Sequence, residues 1–226
     1  MITSQKQIYD KWNYGEYSNY KKNLILNELS LNTKRIFLDV ACGSGDFSSF
    51  IPKNYKYIGL EFSSVQIQKA KKLNRNVKYA DLRKKFPISN NSVDVILASE
   101  ILEHLFDTDF FLSECHRVLK KNGTLIITTP NICDLSGRIR CIFGRRPPNI
   151  EHRAGRGYAG HIRAFTIHDL RELLKENKLI LKKYTGYEFY LPFKITCDTK
   201  YLGYMSKIFS KLIPTLSTGL LIVCKK

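Results

Sequence analysis

The sequence lacks the features that would tie it covalently or thread it through a bilayer. Its six cysteines, at positions 42, 115, 133, 141, 197 and 224, are scattered and form no Cys-x-x-Cys pair. That pattern argues against a disulfide framework and a structural zinc site, and leaves free thiols as the expectation. No apolar run approaches the roughly 20 residues that a membrane-spanning helix needs. The opening stretch, MITSQKQIYDKW, lacks the charged-then-apolar pattern of a signal peptide, so a cytoplasmic location is expected. No internal repeat or low-complexity tract occurs, which argues against solenoid architectures. Acidic residues are scarce: 20 stand against 37 lysines and arginines, a net charge of +17. Such an excess favours polyanions, whether nucleic acid, anionic lipid headgroups or phosphorylated substrates. Lysine-rich usage from an AT-rich genome would raise the charge equally well without choosing a partner.

What is present reads as one α/β domain. The length of 226 residues suits a single domain, and 43% hydrophobic residues are enough for a sizeable core. An amphipathic helix is expected over residues 16–30. From Lys34 onward, short apolar runs alternate with helical patterns. RIFLDVA and YKYIGLEF read as strands, with a short helix around Phe47–Phe50 between them. SSVQIQKAKKL starts on an N-cap serine and reads as a helix, and NVKYAD and VDVILAS read as strands. DTDFFLSECHRVLKKNG reads as a helix stopped by Gly123, followed by the strand TLIITTP. TIHDLRELLKENKLI supplies a further helix and strand, and TGLLIVCKK a last, antiparallel strand. Alternation of this kind implies right-handed crossovers and a mostly parallel sheet covered on both faces. Residues 137–163 interrupt it with seven arginines, five glycines, two prolines and one acidic residue, and read as a mobile basic insertion or lid.

The chemistry concentrates at strand ends. In FLDVACGSGDF, a strand carrying Asp39 runs into Gly43-Ser44-Gly45, where the backbone turns tightly and can approach a ligand. Glu61 ends the next strand and is suited to gripping a ribose diol. A dinucleotide fingerprint would need a third glycine at position 48, which is Ser48, so NAD is disfavoured. The run resembles motif I of the class I S-adenosylmethionine (SAM) methyltransferases, and the similarity extends over roughly residues 34–187. Glu61 in GLEFS matches that family's ribose-binding acid, and Asp81 in YADL its adenine-side acid, with Leu82 beside it. PISNNSVDVILASEILEHL and VLKKNGTLIITTPN match its active-site edge and following strand. The resemblance implies a Rossmann-like, mostly parallel seven-stranded sheet with helices on both faces and an antiparallel last strand. It places SAM against Asp39, Ala41, Cys42, Gly43, Gly45, Glu61, Phe62, Asp81, Leu82, Ser99 and Glu100, with Trp12 from the aromatic segment YDKWNYGEY closing over it. It divides the chain into an N-terminal helical cover (1–33), a SAM-binding core (34–130), the basic lid (131–165) and a substrate-side half (166–226).

The turn ASEILEHLFD follows strand VDVIL. If it is helical, Glu100, Glu103 and His104 share one face, and two adjacent carboxylates need compensation. They sit in a first helical turn favoured by the dipole, or they poise His104 as a general base, or they hold a divalent metal. The ExxEH spelling is similar to the ubiquinone-pathway O-methyltransferases and the small-RNA 3′-terminal ribose methyltransferases. A downstream histidine, His161 in GHIRAFT, would serve as a further ligand, and such a set suits Mn²⁺, Co²⁺ or Zn²⁺ better than Mg²⁺. GHIRAFT also resembles a segment of type-11-like methyltransferases that lies over the acceptor pocket, which makes His161 and Arg163 substrate-facing. The lid arginines 138, 140, 145, 146, 153 and 156 suit phosphate or carboxylate. YLGYMSKIFSKLI reads as an amphipathic helix against a membrane or partner, or as an ordinary covering helix.

The expectation is therefore a SAM-dependent methyltransferase acting on a hydroxyl, with His104, Glu103 and His161 as catalytic candidates. The metal option is Glu100, Glu103, His104 and His161, without an assigned metal. The expected acceptor is a small molecule, a sugar or a lipid-linked glycan, including phosphorylated or membrane-associated ones. RNA ribose 2′-O-methylation is the alternative that the net charge supports, and a non-catalytic SAM-binding partner protein is the third. Peripheral membrane association accompanies the cytoplasmic expectation, with no transmembrane segment.

Overall fold

A computed structural model describes residues 18–31, 33–151, 160–189 and 199–226. Tyr9, Trp12, Tyr14, Arg153, Arg156 and Cys197 lie outside the described residues. Seven strands form one sheet: β1 (Arg35–Val40), β2 (Tyr55–Glu61), β3 (Val77–Tyr79), β4 (Val93–Ser99), β5 (Leu119–Pro130), β6 (Ile180–Tyr187) and β7 (Gly219–Lys225). Their order is β3-β2-β1-β4-β5-β7-β6. β7 runs antiparallel to both β5 and β6, as the last strand was expected to do. β1 lies between β2 and β4, so its carboxyl end opens where the winding reverses. Ligands of open α/β sheets bind in the crevice at such a point.

The central strands alternate at a period of two, so each loads both faces. Leu38, Ile96, Ala98, Leu125 and Ile127 point to one face, where helices α3 (Thr108–Val118) and α5 (Ile167–Glu176) contribute Phe111, Leu112, Leu170 and Leu174. Phe37, Val95, Leu97 and Ile126 point to the other, against Ile25 of α1 (Asn19–Leu26) and Phe47. Caps fix the helix starts: Ser63 begins α2 (Ser64–Lys72), Asp107 begins α3, and Thr166 with Asp169 forms a reciprocal capping box on α5.

Three expectations are corrected. The helix read through Gly123 ends at Val118, because fully buried Leu119 already pairs with Val93 as the start of β5. Gly123 stops no helix. It sits inside an irregularity of β5, where a Cβ would meet the Lys120 carbonyl at 2.8 Å. The basic stretch after Pro130, read as an insertion or lid without a named element, holds α4 (Leu135–Ile142), capped by Asp134, which accepts from the Gly137 N–H at 2.5 Å. The turn after β4 is not α-helical: Glu100 has φ +52°, and only Leu102–His104 form a single 3₁₀ turn. The helix α6 (Thr199–Leu212) is present where the amphipathic pattern placed one.

Asn131 locks the end of β5 to the C-terminal half. Its buried side-chain amide donates to the carbonyls of Thr215 (3.0 Å) and Ser217 (2.8 Å), and its oxygen accepts from the Cys133 N–H. Asn131→Ala strands these buried groups and is expected to cost about 2–3 kcal/mol. Urea unfolding checks this; a loss below about 0.5 kcal/mol would show that the clamp is not structural.

Candidate active site on the carboxyl edge of the sheet

The loop after β1 is built for close backbone approach. Ala41, Gly43 and Gly45 all have positive φ, at 57°, 57° and 72°. A Cβ on Gly45 would meet Val77 at 2.9 Å, so that position combines a left-handed backbone with no room for a side chain. Glu61 sits under this loop and is buried. Its Oε2 accepts from Gly43 N–H (2.8 Å), and its Oε1 from the N–H groups of Phe62 (2.8 Å) and Ser63 (2.7 Å). Asp39 is also buried and accepts from the Tyr57 hydroxyl at 2.9 Å. Burial pushes its pKa up to about 7, the Tyr57 bond working against the rise and Glu61 adding to it. Burial likewise drives the Cys42 thiol far above its ordinary value, with Asp39 and Glu61 adding to it, so Cys42 packs rather than reacts.

On the β3 side, Phe62 and Tyr79 have ring centroids 5.8 Å apart, and the Arg83 guanidinium lies 5.4 Å from the Phe62 ring. Arg83 pairs bidentately with Asp81 at 2.8 and 2.9 Å. This bond is the main reason the Asp81 carboxyl is held below its usual range. Leu82 is buried beside it.

At the end of β4, Ser99 shares a hydrogen bond with Thr128 (2.9 Å). Glu100, with its left-handed backbone, reaches Lys21 of α1 and Tyr187 of β6. Its Oε1 accepts from Tyr187 (2.5 Å), Thr128 (2.8 Å) and Lys21 (3.2 Å). Desolvation would raise its pKa, but Lys21, Tyr187 and Thr128 outweigh that and hold it below the carboxylate norm. Glu100 is therefore an ionised partner of Lys21.

Glu103 behaves in the opposite way. It is 2% exposed, its Oε2 accepts from Thr129 at 3.1 Å, and its buried Oε1 has no hydrogen-bond partner. Burial, and then the charge of Glu100, raise its pKa to about 8. His104 Nε2 lies 3.9 Å from Glu103 Oε1, and its Nδ1 lies 3.2 Å from the Gly160 carbonyl. A carbonyl only accepts, so Nδ1 carries the proton there and Nε2 is the basic nitrogen. Burial, and then His161, lower the His104 pKa to about 4, so the imidazole is neutral at physiological pH. The His161 ring stands 5.0 Å from that of His104. One ligand atom each from Glu103, His104 and His161 lie within 4.8 Å of one another. The 160–163 segment is docked here by its backbone, Ile162 and Arg163 donating to the Glu103 carbonyl at 3.0 and 3.1 Å. A small cleft lined by Glu103, Asn149, His161 and Arg163 opens beside the group, and Asn149 Nδ2 is buried there without a partner.

A methyltransferase domain family model matches residues 38–127. The ubiquinone biosynthesis O-methyltransferase of Pelagibacter ubique is 30% identical over 178 residues, covering 75% of this chain and 72% of that protein. The chain belongs to the class I SAM-dependent methyltransferases. The human mitochondrial ubiquinone biosynthesis O-methyltransferase is 27% identical over 166 residues, and the match spans 44% of its length. In fold, the methyltransferase resembles a SAM-dependent methyltransferase from Thermotoga maritima, with a TM-score of 0.64 and 17% identity over all of this chain and 95% of that one.

SAM is the cofactor of this methyltransferase, and the loop fits it. The positive-φ turn brings bare backbone to the crevice, and Asp39 and Glu61 supply carboxylates beneath it. The expected cofactor residues split into the Asp39–Gly45 loop with Glu61, the Phe62–Asp81–Leu82 wall, and Ser99 with Glu100 at the end of β4. Glu103, His104 and His161 come together, while Glu100 is engaged with Lys21 instead. Lys21, Tyr187, Thr128 and Asn149 carried no signal in the sequence, since each acquires its role only through contacts between distant segments.

Two outcomes are expected of the methyltransferase. Glu61→Gln should weaken SAM binding by about tenfold or more, because a neutral amide both loses charge and introduces a donor; unchanged affinity by isothermal titration would remove Glu61 from the cofactor site. The raised pKa of Asp39 means that the folded apoprotein holds a proton that the unfolded chain releases. Stability should therefore fall as pH rises from about 4 through about 7. Asp39→Asn should lack that component, so its stability relative to wild type should improve from about pH 4 to about pH 7; a constant difference would contradict the assignment.

Proposed function

We propose that the enzyme methylates the oxygen of a hydroxyl on a small molecule, a sugar or a lipid-linked glycan. The observation that carries this reading is the unpartnered buried Oε1 of Glu103 beside the neutral His104 imidazole. An oxygen acceptor must lose or share its proton as the methyl group arrives. His104 Nε2 supplies the lone pair for that proton, with Gly160 fixing the tautomer. Glu103 Oε1 and Asn149 Nδ2 supply unpartnered polar atoms that orient a hydroxyl-bearing group in the cleft. Methyl transfer is an in-line displacement, so much of the rate comes from holding the acceptor on the line of attack. In this reading Arg163 acts mainly through its frame: its guanidinium is tied to the Leu105 carbonyl at 3.0 Å and to the Phe106 carbonyl. It thereby holds the 160–163 segment over the site.

The same group fits a divalent ion as a second reading, favoured by its carboxylate and two imidazole atoms within 4.8 Å and by the unpartnered Oε1. Glu103, His104 and His161 would hold the ion, of the Mn²⁺, Co²⁺ or Zn²⁺ type, which would polarise an acceptor oxygen. Ribose 2′-O-methylation of RNA remains the alternative that the +17 charge supports. The supporting likeness is to ubiquinone-pathway O-methyltransferases, whose acceptor is not carried over to this chain.

The test is transfer of labelled methyl from SAM to fractionated cell extract, with His104→Ala expected to reduce turnover at least about 100-fold while SAM affinity stays within about twofold. Equal turnover in the variant would exclude His104 as base or ligand. Adding EDTA and then Mn²⁺ separates the two readings: restored turnover, with a Mn²⁺-dependent rise in melting temperature lost in His161→Ala, selects the metal, and no response selects the imidazole alone.

A further inference from the structure

The tip of α4 stands apart from the acceptor cleft and is unexplained by methyl transfer. Ile142 is 80% exposed and Phe143 75% exposed at the helix end. Single exposed apolar residues are ordinary, but two large neighbours at a projecting tip are a sign of contact. Arg138, Arg140, Arg145 and Arg146 flank them in the sequence, all exposed. Among the described residues none of the four forms an ion pair with a carboxylate. Three are braced by backbone oxygens instead. Arg138 donates to the carbonyls of Cys133 (2.7 Å) and Thr215 (3.3 Å), Arg140 to that of Arg146 (3.1 Å), and Arg146 to that of Ile150 (2.5 Å). Carbonyls orient the guanidinium groups without neutralising them. The Arg138–Thr215 bond also ties the helix to the 3₁₀ turn Pro214–Leu216 that follows α6.

We propose that the tip of α4 is a docking surface for an anionic lipid bilayer. Ile142 and Phe143 enter the boundary between headgroups and acyl chains, while the arginines hold lipid phosphates and keep their charge at the interface. The pairing of features selects this partner. A nucleic acid would use the arginines and could stack on Phe143, but it gives an exposed isoleucine nothing to bury against. An acidic protein face would pair with the arginines but would not call for two large apolar side chains left bare among them. Position agrees with a bilayer as well. From the tip the chain runs through buried Pro147 to Asn149 in the acceptor cleft, so a docked enzyme holds its cleft beside the membrane. The inference stands on this surface and is independent of which hydroxyl is methylated.

A second basic region must be separated from it. At the opposite, amino edge of the parallel strands, burial lowers the Lys225 pKa and the nearby charges of Arg35 and Lys182 add to that. The experiment floats the full chain with vesicles of phosphatidylcholine alone, or with about one-third phosphatidylglycerol, at low and high salt. Wild type should float with the anionic vesicles and bind the zwitterionic ones weakly, with salt reducing but not abolishing binding. The double variant I142S/F143S should bind at least about tenfold more weakly. So should R145E/R146E, and both should keep wild-type SAM affinity, which shows that they are folded. K182E should float as wild type does. No flotation of wild type, equal flotation of I142S/F143S, or loss confined to K182E would overturn the proposal.

Discussion

Four acidic side chains crowd one edge of the sheet, and the rest of the site follows from how each is accommodated. Asp39, Glu61 and Glu103 are buried and Glu100 is half-buried, all at or just beyond the carboxyl ends of β1, β2 and β4. Uncompensated charges there would cost several kcal/mol each. Glu61 accepts from three backbone N–H groups. Glu100 is ionised against Lys21, with Tyr187 and Thr128 on the same oxygen. Asp39 and Glu103 instead have proton affinities raised into the physiological range. The two solutions place fixed negative charge and exchangeable protons in alternation along a single crevice.

That alternation separates two tasks. In the proposed reading, the loop backbone with Glu61 and Asp39 faces the cationic cofactor, and the Glu103 carboxyl and neutral His104 imidazole face a group whose proton must be moved. The left-handed backbone at Glu100 is the device that divides them. It turns Glu100 toward α1 and β6, and lets the following 3₁₀ turn aim Glu103 and His104 at the 160–163 segment. The separation is partial, since the Glu100 charge still adds to the raised proton affinity of Glu103.

The cofactor half was legible in the sequence because its signals are local. A strand, a glycine turn and an acid at the next strand's end lie within 27 residues, Arg35 to Glu61, and a period of two identifies the strands. The acceptor half was legible only as residue types. Glu103, His104 and His161 could be named, but spacing alone suggested a helical face that the positive φ of Glu100 forbids. Lys21 meets Glu100 across 79 positions, and Tyr187 meets it across 87, so no local pattern announces either. The short helix α4 was masked by its own arginines and glycines, whose solvated character hid the Asp134 cap. Gly123 misled for a related reason: the same residue type ends helices and relieves crowding in an irregular strand.

The central claim is that one edge carries both a cofactor grip and a proton-handling group aimed at the same point. A crystal structure with bound S-adenosylhomocysteine tests it most directly. The account predicts the ribose hydroxyls on the Glu61 carboxylate, the backbone of Gly43 to Gly45 against the ligand, and the sulfur facing the cleft of Glu103, His104 and His161. A ligand seated elsewhere, or one whose sulfur faces away from that group, would contradict it.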